Sequence, residues 1–367
     1  MATHNPENER IKRRYFAYLK EARRQSEATI DQVAKGLSRF EEDTGHRDFR
    51  GFHIEQAIAF KRHLAQQVSA SSGRTLSKAT VHGTLAHLKR FFHWLAGQPG
   101  YRSRLRYSDC DYFNMSEKEA RVATARREKA FPTLEQISHV IAVMPGRTEV
   151  EQRDRALLAF TILTGARDGA IASMKLKHVD LVDGKVHQDA REVNTKNSKS
   201  FVTYFFPVGE EILQILTDWV NYLRQVRLWG NDDPLFPATE VAIGDDHQFE
   251  AAGVKRSHWK TAAPIRSIFR EAFTRAGLPY FNPHSFRNTL AQLGEQRCQT
   301  PEEFKAWSQN LGHEEVLTTF RSYGAVGSHR QGEIIRGLTG SPGPDDEVAE
   351  EIVRAVLDKL RGSRRLA

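Results

Sequence analysis

The segment TILTGARDGAIASMKLKHVDL, residues 161–181, carries the pattern on which the fold assignment depends. An apolar helix ends there at a Thr-Gly-Ala turn, and Arg167 follows the turn at once. Such a turn can direct an arginine side chain into a cleft, although an arginine after a turn is more often a surface residue or an ion-pair partner. Arg167 is therefore a candidate anion-binding group, and the other motifs of the chain decide whether it has that role.

A second motif, NPHSFRNTLAQLG at residues 282–294, places two nitrogen-bearing side chains at a helix start. Pro283 is favoured in the first turn of a helix. His284 and Arg287 are three residues apart and therefore share a face of that turn. Since the first turn of a helix also favours bound anions, the pair is suited to hold a phosphate. The ordinary alternative is a capping histidine beside a solvated arginine.

A third motif, NLGHEEVLTTFRSYG at residues 310–324, ends one helix and begins another. The first helix ends at Leu-Gly, His313 follows, and the next helix leads to Tyr323. An isolated tyrosine of this kind is most often a half-buried structural residue. Its meaning, like that of Arg167, depends on what else the chain contains.

Between the first and second motifs, residues 184–190 and 192–208 are predicted to be strands. The second of these holds two runs, AREVN and SFVTYFFPV, on either side of the polar turn TKNSK. Strand-forming runs around a short polar turn are typical of a β-hairpin. Lys196 lies at the tip of this predicted hairpin, where lysines are common for purely structural reasons.

Helical periodicity dominates the rest of the chain. The clearest run covers residues 77–97, where Ser77 is a suitable N-cap and apolar residues recur at helical spacing. Residues 230–260 are rich in loop-forming residues and predict no regular element. The predicted fold is therefore mainly α with a small β-sheet, an α+β protein. The predicted helices are 10–25, 27–43, 53–68, 77–97, 134–143, 151–163, 209–228, 263–276, 284–297, 302–310, 314–322 and 347–361.

The composition favours a polyanionic partner. The 367 residues suit two domains, and the net charge is +8. The basic excess lies in residues 1–130. No apolar run approaches the roughly 20 residues that span a membrane, and Cys110 and Cys298 are too few for a disulfide framework. Neither zinc-ligand spacing nor a nucleotide-binding fingerprint is present, so no cofactor and no metal are expected.

Taken together and in this order, the three motifs and the hairpin lysine resemble the tyrosine recombinase family, the phage-integrase-like proteins. TGARDGAIASMKLKHVDL is similar to the family's first box, HSFRNTLAQLG to its second and LGHEEVLTTFRSYG to its third. The resemblance covers nearly the whole chain, and the boxes are specific only in combination. The catalytic set that it implies is, in chain order, Arg167, Lys196, His284, Arg287, His313 and Tyr323.

The resemblance implies that DNA is cut and rejoined by transesterification. Tyr323 would attack a DNA phosphorus and form a 3′-phosphotyrosyl link, which a 5′-hydroxyl can reverse. The two arginines would clamp the non-bridging oxygens, so that no metal ion is required. The family's roles point to His284 as the proton acceptor, Lys196 as the general acid and His313 as a hydrogen-bonding partner of the phosphate. Which histidine acts as the base stays open at this point.

Three departures from the family's pattern concern the site. Tyr323 lies ten residues after His313, where nine is commoner, but no other tyrosine lies between them, so Tyr323 stays the expected nucleophile. Three positions after the first-box arginine the family often has an acidic residue, whereas this chain has Ala170 and its nearest acid is Asp168. A supporting contact of the arginine is therefore in question. Lys199 lies on the same predicted turn as Lys196 and is an open alternative for the general acid.

The resemblance also implies two domains that close as a C-shaped clamp around DNA. A helical, SAM-like core-binding domain would span residues 1–112, a linker 113–131 and the catalytic domain 132–340. A tail at 341–367 would carry an amphipathic helix that packs on its own subunit or on a neighbour. The expected DNA contacts of the first domain are Arg74, Lys78, His82, Lys89 and Arg90.

Double-stranded DNA is the expected partner, with a homotetramer on two DNA sites as the working unit and accessory proteins as further partners. No membrane partner is expected, and the expected location is the bacterial cytoplasm in association with the nucleoid. The leading function is a site-specific recombinase or integrase of a mobile element. Alternatives are a transposase- or resolvase-type use of the same chemistry and a non-catalytic DNA-binding protein. A type IB topoisomerase fits the layout less well, and a basic RNA-binding protein would not explain the ordered motifs.

Overall fold

The computed structural model divides the chain into two units, Met1–Arg126 and Arg127–Ala367. The division falls inside the segment predicted to be a linker, and each unit has a hydrophobic core of its own. The predicted domain boundaries themselves stay a prediction. The residues that the structure describes are 4–69, 73–125, 130–195, 199–243 and 248–312.

Several predicted features lie outside the described residues, and their assignments stay predictions. They are Lys196, His313, Tyr323 and the helices expected over residues 314–322 and 347–361.

Polar side chains fix the starts of the helices in the first unit. These helices are α1 (Pro6–Ala17, continued by a π-helical turn at Tyr18–Ala22), α2 (Glu27–Asp43), α3 (Ile54–Gln66), α4 (Lys78–Ala96) and α5 (Glu117–Thr124). The Ser77 hydroxyl accepts a hydrogen bond from the Thr80 N–H (3.1 Å), which confirms the predicted N-cap of α4. Ser26 caps α2 in the same way, with the Thr29 N–H as donor (3.3 Å).

Aromatic side chains fill the core of this unit. The ring centroids of Phe52 and Phe92 lie 4.3 Å apart, and Phe113 stacks on Phe92 at 5.2 Å. Phe40 meets Phe92 edge to face at 5.3 Å. Such pairs add about 0.5–1.5 kcal/mol each beyond the apolar area that they bury. The apolar stripe predicted for α4 is confirmed, since the following members are all buried: Val81, Leu85, Leu88, Phe91, Phe92 and Leu95.

A buried polar cluster fastens α1 to α2. The Glu41 carboxylate accepts hydrogen bonds from Asn8 Nδ2 (3.1 Å) and from Lys12 Nζ (2.5 Å). The Asn8 side-chain oxygen also accepts the Phe49 N–H (3.0 Å), which ties in the segment after α2. Burial alone would lower the pKa of Lys12, but hydrogen bonds to Glu41 and Glu9 outweigh it and raise that pKa.

The second unit is organised around one central helix. Its helices are α6 (Leu134–Val143), α7 (Glu149–Thr164), α8 (Asp168–Ile171), α9 (Glu210–Asn221, continued by a π-helical turn at Tyr222–Val226), α10 (Ala263–Arg275), α11 (Ser285–Arg297) and α12 (Pro301–Asn310). Every residue of α7 from 156 to 164 is buried. Because apolar side chains occupy all sides of α7 there, neighbouring elements cover it on every face.

A three-stranded antiparallel sheet joins α8 to α9. Its strands are β1 (Val179–Asp180), β2 (Lys185–Gln188) and β3 (Phe201–Tyr204), in that spatial order. Lys185 pairs with Tyr204 and Gln188 pairs with Phe201, so β2 and β3 form a hairpin closed by the connection 189–200. The structure confirms a hairpin in this region, but its first strand is β2 and not the predicted run AREVN.

The prediction that AREVN, residues 190–194, forms a strand is wrong. The N–H groups of Glu192 and Val193 both donate to the Asp189 carbonyl, at 3.0 and 2.7 Å, which bends the chain into a turn. The Asp189 carboxylate holds the Arg191 guanidinium on the same turn, with Nε at 3.0 Å. Local hydrogen bonds therefore take the place of a strand ladder.

The interpretation of residues 230–260 as loop alone is also wrong. An antiparallel hairpin forms there from β4 (Ala238–Ile243) and β5 (Phe249–Lys255). Two residues of α7 anchor it: the Arg153 guanidinium donates to the Pro237 carbonyl (3.0 Å), and the Glu149 carboxylate accepts the Val254 N–H (3.1 Å). Most of the β4 side chains are exposed, so no hydrophobic alternation marks the strand in the sequence.

The described residues confirm the predicted fold class, because helices predominate and the sheets are small and antiparallel. Within those residues no helix is both long enough and apolar enough to cross a membrane.

Candidate active site

A glycine with a left-handed backbone precedes Arg167. α7 ends at Gly165, whose φ is +60° and whose N–H donates to the Thr161 carbonyl (2.8 Å). The left-handed conformation favours a glycine, and a Cβ at Gly165 would lie 3.1 Å from both the Leu290 and Leu311 side chains, which would have to shift. The chain then reverses, and Arg167 stands half-buried at the start of α8.

Arg287 joins the first and third motifs through its guanidinium group. The residue is 2% exposed, and its Nη1 donates to the Gly165 carbonyl at 2.6 Å. Its Nη2 donates to the Leu311 carbonyl at 2.5 Å. Hydrogen bonds from a charged donor are about twice as strong as neutral ones. One side chain therefore fixes both the turn before Arg167 and the chain just before His313.

His284 lies one helical turn before Arg287, at the start of α11. It is exposed, whereas Pro283 and Ser285 on either side are buried. The Ser285 N–H donates to the Asn282 carbonyl (2.9 Å), which tightens the entry into the helix. The predicted helix start is confirmed. The structure thus sets an exposed imidazole above a buried guanidinium on the first turn of α11.

The third motif begins docked against β3. Asn310 Nδ2 donates to the Tyr204 carbonyl (2.8 Å), and its Oδ1 accepts the Tyr204 N–H (2.7 Å). A side-chain amide thus continues the hydrogen-bonding pattern of the sheet. Gly312 has a φ of +72°, and a Cβ there would approach the Phe201 ring to 2.8 Å. The chain therefore continues to His313 from a point fixed against β3.

The connection from β2 to β3 carries both lysines considered for the general acid. Lys196 lies outside the described residues, and Lys199 is half-buried close to the start of β3. Before Lys196, the Asn194 N–H donates to Ser173 Oγ at 2.8 Å. Because Ser173 lies two residues after α8, the structure brings the start of the connection close to the helix that Arg167 precedes.

Asp168 takes part in an ion pair that sequence analysis missed. Its Oδ2 accepts a hydrogen bond from Nε of Arg266 in α10 (2.8 Å) and lies 2.7 Å from Nη2 of the same guanidinium. Ala170, at the position where the family often has an acid, is buried. Asp168 and Arg266 are remote in the chain and no repeat or spacing links them, so no sequence signal could have paired them.

The predicted DNA contacts of the first unit differ in their surroundings. His82 is half-buried, whereas the exposed members are Arg74, Lys78 and Arg90. Lys89 forms an ion pair with Asp111 (2.8 Å) and donates to Asn114 Oδ1 (2.9 Å). The hydrogen bond from Lys89 lowers the pKa of Asp111. Lys89 would have to exchange these partners for a phosphate. Among the exposed members, Arg90 also has a partner, since its Nε donates to the Ala86 carbonyl (3.2 Å).

Comparisons with known proteins agree with the three motifs. The model of the phage integrase family matches residues 131–329, more than half of the chain. Tyrosine recombinase XerC of Lactobacillus leichmannii is 23% identical over 315 residues, which cover 84% of this chain and 92% of that protein.

Two solved structures share the fold. A lambda integrase tetramer bound to a Holliday junction has a TM-score of 0.54 at 14% identity, covering 84% of this chain and 77% of that one. The Tn1549 transposon integrase in complex with a circular intermediate DNA has a TM-score of 0.53 at 14% identity, covering 89% and 99%.

Proposed function

This chain belongs to the phage integrase family of tyrosine recombinases, enzymes of site-specific DNA recombination, and we propose that it serves a mobile element and works through a 3′-phosphotyrosyl intermediate. The observation that carries the proposal is the double hydrogen bond of Arg287, to Gly165 and to Leu311. It holds Gly165 of the first motif, Arg287 of the second and Leu311 of the third at one place, although they are remote in sequence. Phosphoryl transfer needs such a convergence of cationic and proton-transferring groups.

In the proposed reaction the phenolic oxygen of Tyr323 attacks the phosphorus of the scissile phosphate. The P–O5′ bond breaks, and the DNA strand is held as a 3′-phosphotyrosyl ester until a 5′-hydroxyl reverses the step. His284 accepts the phenol proton, and Lys196 gives a proton to the leaving 5′-oxygen, so that protons and charges balance. A general acid and a general base each contribute about 10²–10⁴-fold in rate.

The proposed electrostatic stabilisation comes from Arg167 and Arg287, with His313 as a further hydrogen-bonding partner of the phosphate. Negative charge concentrates on the non-bridging oxygens, to which guanidinium groups donate strong hydrogen bonds. Arg287 would have to turn N–H groups from the Gly165 and Leu311 carbonyls toward the phosphate, whereas the half-buried Arg167 lies at the start of α8. Removing one fixed donor of this kind costs about 2.7–4 kcal/mol in comparable oxyanion sites. Two guanidinium groups supply the positive charge that metal ions supply in other phosphoryl-transfer enzymes, so the proposed reaction needs no metal and no cofactor.

Double-stranded DNA is the proposed substrate, bound by both units. The exposed basic residues of the first unit support a contact with the phosphate backbone. We propose a homotetramer on two DNA sites as the working unit, because the lambda integrase of similar fold forms a tetramer on a Holliday junction. Accessory proteins and an action at the nucleoid, in the bacterial cytoplasm, belong to the same proposal.

A transposase- or resolvase-type use of the same chemistry is the second candidate. It is favoured by the similar fold of a transposon integrase in complex with a circular intermediate DNA. The two candidates share every chemical step and differ in which DNA ends are joined. Sequencing the joined products, starting from the DNA at the native genomic junctions, separates them.

Covalent capture tests the proposed chemistry. The purified protein is mixed with DNA from its native genomic junctions in EDTA, and the reaction is quenched with SDS. We expect an SDS-stable protein–DNA complex with the wild type and none with Tyr323→Phe, which lacks the nucleophilic oxygen. If Tyr323→Phe also forms the complex, the nucleophile is wrong. If both variants bind the DNA but neither forms the complex, the chain is a non-catalytic DNA-binding protein.

A further inference from the structure

Three successive residues at the start of the 189–200 connection are fixed by three different interactions. Glu192 is bound by three side chains from the segment between α8 and β1, Lys175 (3.5 Å), Lys177 and His178, and Val193 is buried in the core of the second unit. The Asn194 N–H donates to Ser173 Oγ at 2.8 Å. Each interaction removes backbone freedom, so together they set where the chain leaves for Lys196, two residues further on.

The Glu192 carboxylate is clamped on both of its oxygens. Lys177 Nζ donates to Oε1 at 2.8 Å, and His178 Nε2 lies 2.9 Å from Oε2. The buried His178 accepts the Lys175 N–H on Nδ1 (3.0 Å), so its ring proton is on Nε2 and is donated to Glu192. The hydrogen bonds from Lys177 and His178 lower the pKa of Glu192 to about 2. Glu192 is therefore ionised throughout the neutral range.

Ser173 links the connection to the helix that begins at Arg167. Its hydroxyl donates to the Ala170 carbonyl at 3.0 Å while its oxygen accepts the Asn194 N–H. The Ile171 N–H in turn donates to the Arg167 carbonyl at 3.0 Å. A continuous path of hydrogen bonds and one short helix thus fixes the distance between Arg167 and the start of the connection.

We propose that Glu192 and Ser173 are positioning residues that hold the lysine of the connection against the leaving 5′-oxygen. The inference rests on the proposed function, in which that lysine is the general acid. A general acid must lie about 2.6–3.2 Å from the atom that it protonates. Releasing Glu192 or Ser173 lets the base of the connection shift and takes the lysine out of that range.

The leaving group of the DNA distinguishes a positioning role from a purely structural one. A synthetic duplex that carries the captured DNA site is made with either the ordinary 5′-oxygen or a bridging 5′-sulfur at the scissile phosphate. Tyr323 attacks phosphorus in both, and the P–O5′ or P–S5′ bond breaks. A thiol has a pKa of about 8.5, so the sulfur leaves as a thiolate without receiving a proton. Cleavage of the sulfur duplex therefore does not need the general acid.

Glu192→Ala and Ser173→Ala are compared with the wild type, Lys196→Ala and Lys199→Ala. Both positioning variants should cleave the oxygen duplex at least about tenfold more slowly, since a general acid contributes about 10²–10⁴-fold. Both should cleave the sulfur duplex at the wild-type rate. The lysine variant that shows the same pattern identifies the general acid.

Asp183→Ala is the matched control, because it removes a carboxylate that pairs with Lys185 at the other end of β2. It should cleave both duplexes like the wild type. Glu192→Gln, which keeps an acceptor oxygen for His178, should recover part of the lost rate on the oxygen duplex.

Equal slowing of Glu192→Ala and Ser173→Ala on both duplexes would make their role structural and overturn the inference. Wild-type rates on the oxygen duplex would overturn it as well and leave the proposed function intact. A wild type that cleaves neither duplex would overturn the proposed function itself.

Discussion

Gly165 and Gly277 have similar backbone conformations but different surroundings. Their φ angles are +60° and +69°, and a Cβ at Gly277 would meet nothing within 4 Å, whereas one at Gly165 would crowd Leu290 and Leu311. We expect Gly277→Ala to lower the free energy of unfolding by about 1–2 kcal/mol through backbone strain alone. Gly165→Ala should lower it further and should also slow covalent capture, because the turn before Arg167 must shift. Chemical denaturation measures the free energy of unfolding, and the capture assay measures the rate. If Gly165→Ala and Gly277→Ala lose the same free energy of unfolding, the crowding at Gly165 is harmless.

Arg287 is held by two carbonyls, which a lysine cannot bind in the same way. A lysine carries one compact ammonium, whereas arginine has a planar fork of donors. We expect Arg287→Lys to reduce covalent capture by about 10²–10³-fold, the usual loss for a fixed donor in such sites. Arg297→Lys is the control, because Arg297 lies in the same helix and its Nη1 donates to the Pro207 carbonyl (2.7 Å) from an exposed position. Normal capture by Arg287→Lys would contradict the role given to the double hydrogen bond.

The sequence motifs single out individual residues as candidates for the site, whereas the partners of these residues could not be predicted from the sequence. Arg167, His284 and Arg287 follow from the order of the motifs, and the structure describes all three. The Asp168–Arg266 pair joins residues that are remote in the chain. Hydrogen bonds of this kind depend on how the elements pack, which no local pattern records.

At the scale of elements, helices were easier to predict than strands. The predicted bounds 27–43 and 134–143 coincide with α2 and α6, whose N-caps and apolar spacing are local signals. The connection 189–200 and the β4–β5 hairpin were missed for a different reason. Local backbone hydrogen bonds to the Asp189 carbonyl bend the first, and the second hairpin is anchored by α7 while most β4 side chains are exposed. Only in the β4–β5 hairpin do tertiary contacts override local propensity.

The stability of the contact between α1 and α2 should depend on pH, because Lys12 takes part in that contact. Its pKa is raised in the folded chain, so the protonated form stabilises the fold. This contribution is fully present below the unfolded lysine pKa of about 10.4 and is lost as the pH rises through the higher folded value. We expect the free energy of unfolding of the first unit to fall above about pH 10, and to fall less in Lys12→Met. Chemical denaturation across that range measures it.

Lys118→Met is the control for this prediction, because Lys118 is exposed on α5. Its free energy of unfolding should fall with rising pH by as much as that of the wild type. If Lys12→Met loses as much stability as the wild type, the buried pair with Glu41 is not the source of the pH dependence.

At the scale of the whole molecule, the chain length predicted two domains, and the distribution of charge predicted a basic N-terminal third. The structural division falls inside the predicted linker. The net charge of a unit is a sum over its residues, so the sequence gives it directly. Whether a basic side chain is available to bind DNA depends on its neighbours in the fold. The ion pair of Lys89 with Asp111 illustrates the difference.

The salt dependence of DNA binding should distinguish these basic residues. Each phosphate contact contributes a slope of about −0.9 in log K against log salt concentration. We expect Lys78→Ala to reduce the magnitude of the slope by about one. Lys89→Ala should reduce it less, because Lys89 already has Asp111 as a partner. Fluorescence anisotropy at several salt concentrations measures the slopes, and a larger change for Lys89→Ala would reverse this assignment.

Mass spectrometry of the captured complex tests the central claim most directly. The covalent complex is digested with nuclease and trypsin, and the peptide that retains nucleotide is sequenced. The account predicts the modification on Tyr323, in the tryptic peptide SYGAVGSHR of residues 322–330. A nucleotide attached to any other residue would contradict the assignment of the nucleophile. A capture reaction that yields no modified peptide would contradict the covalent mechanism altogether.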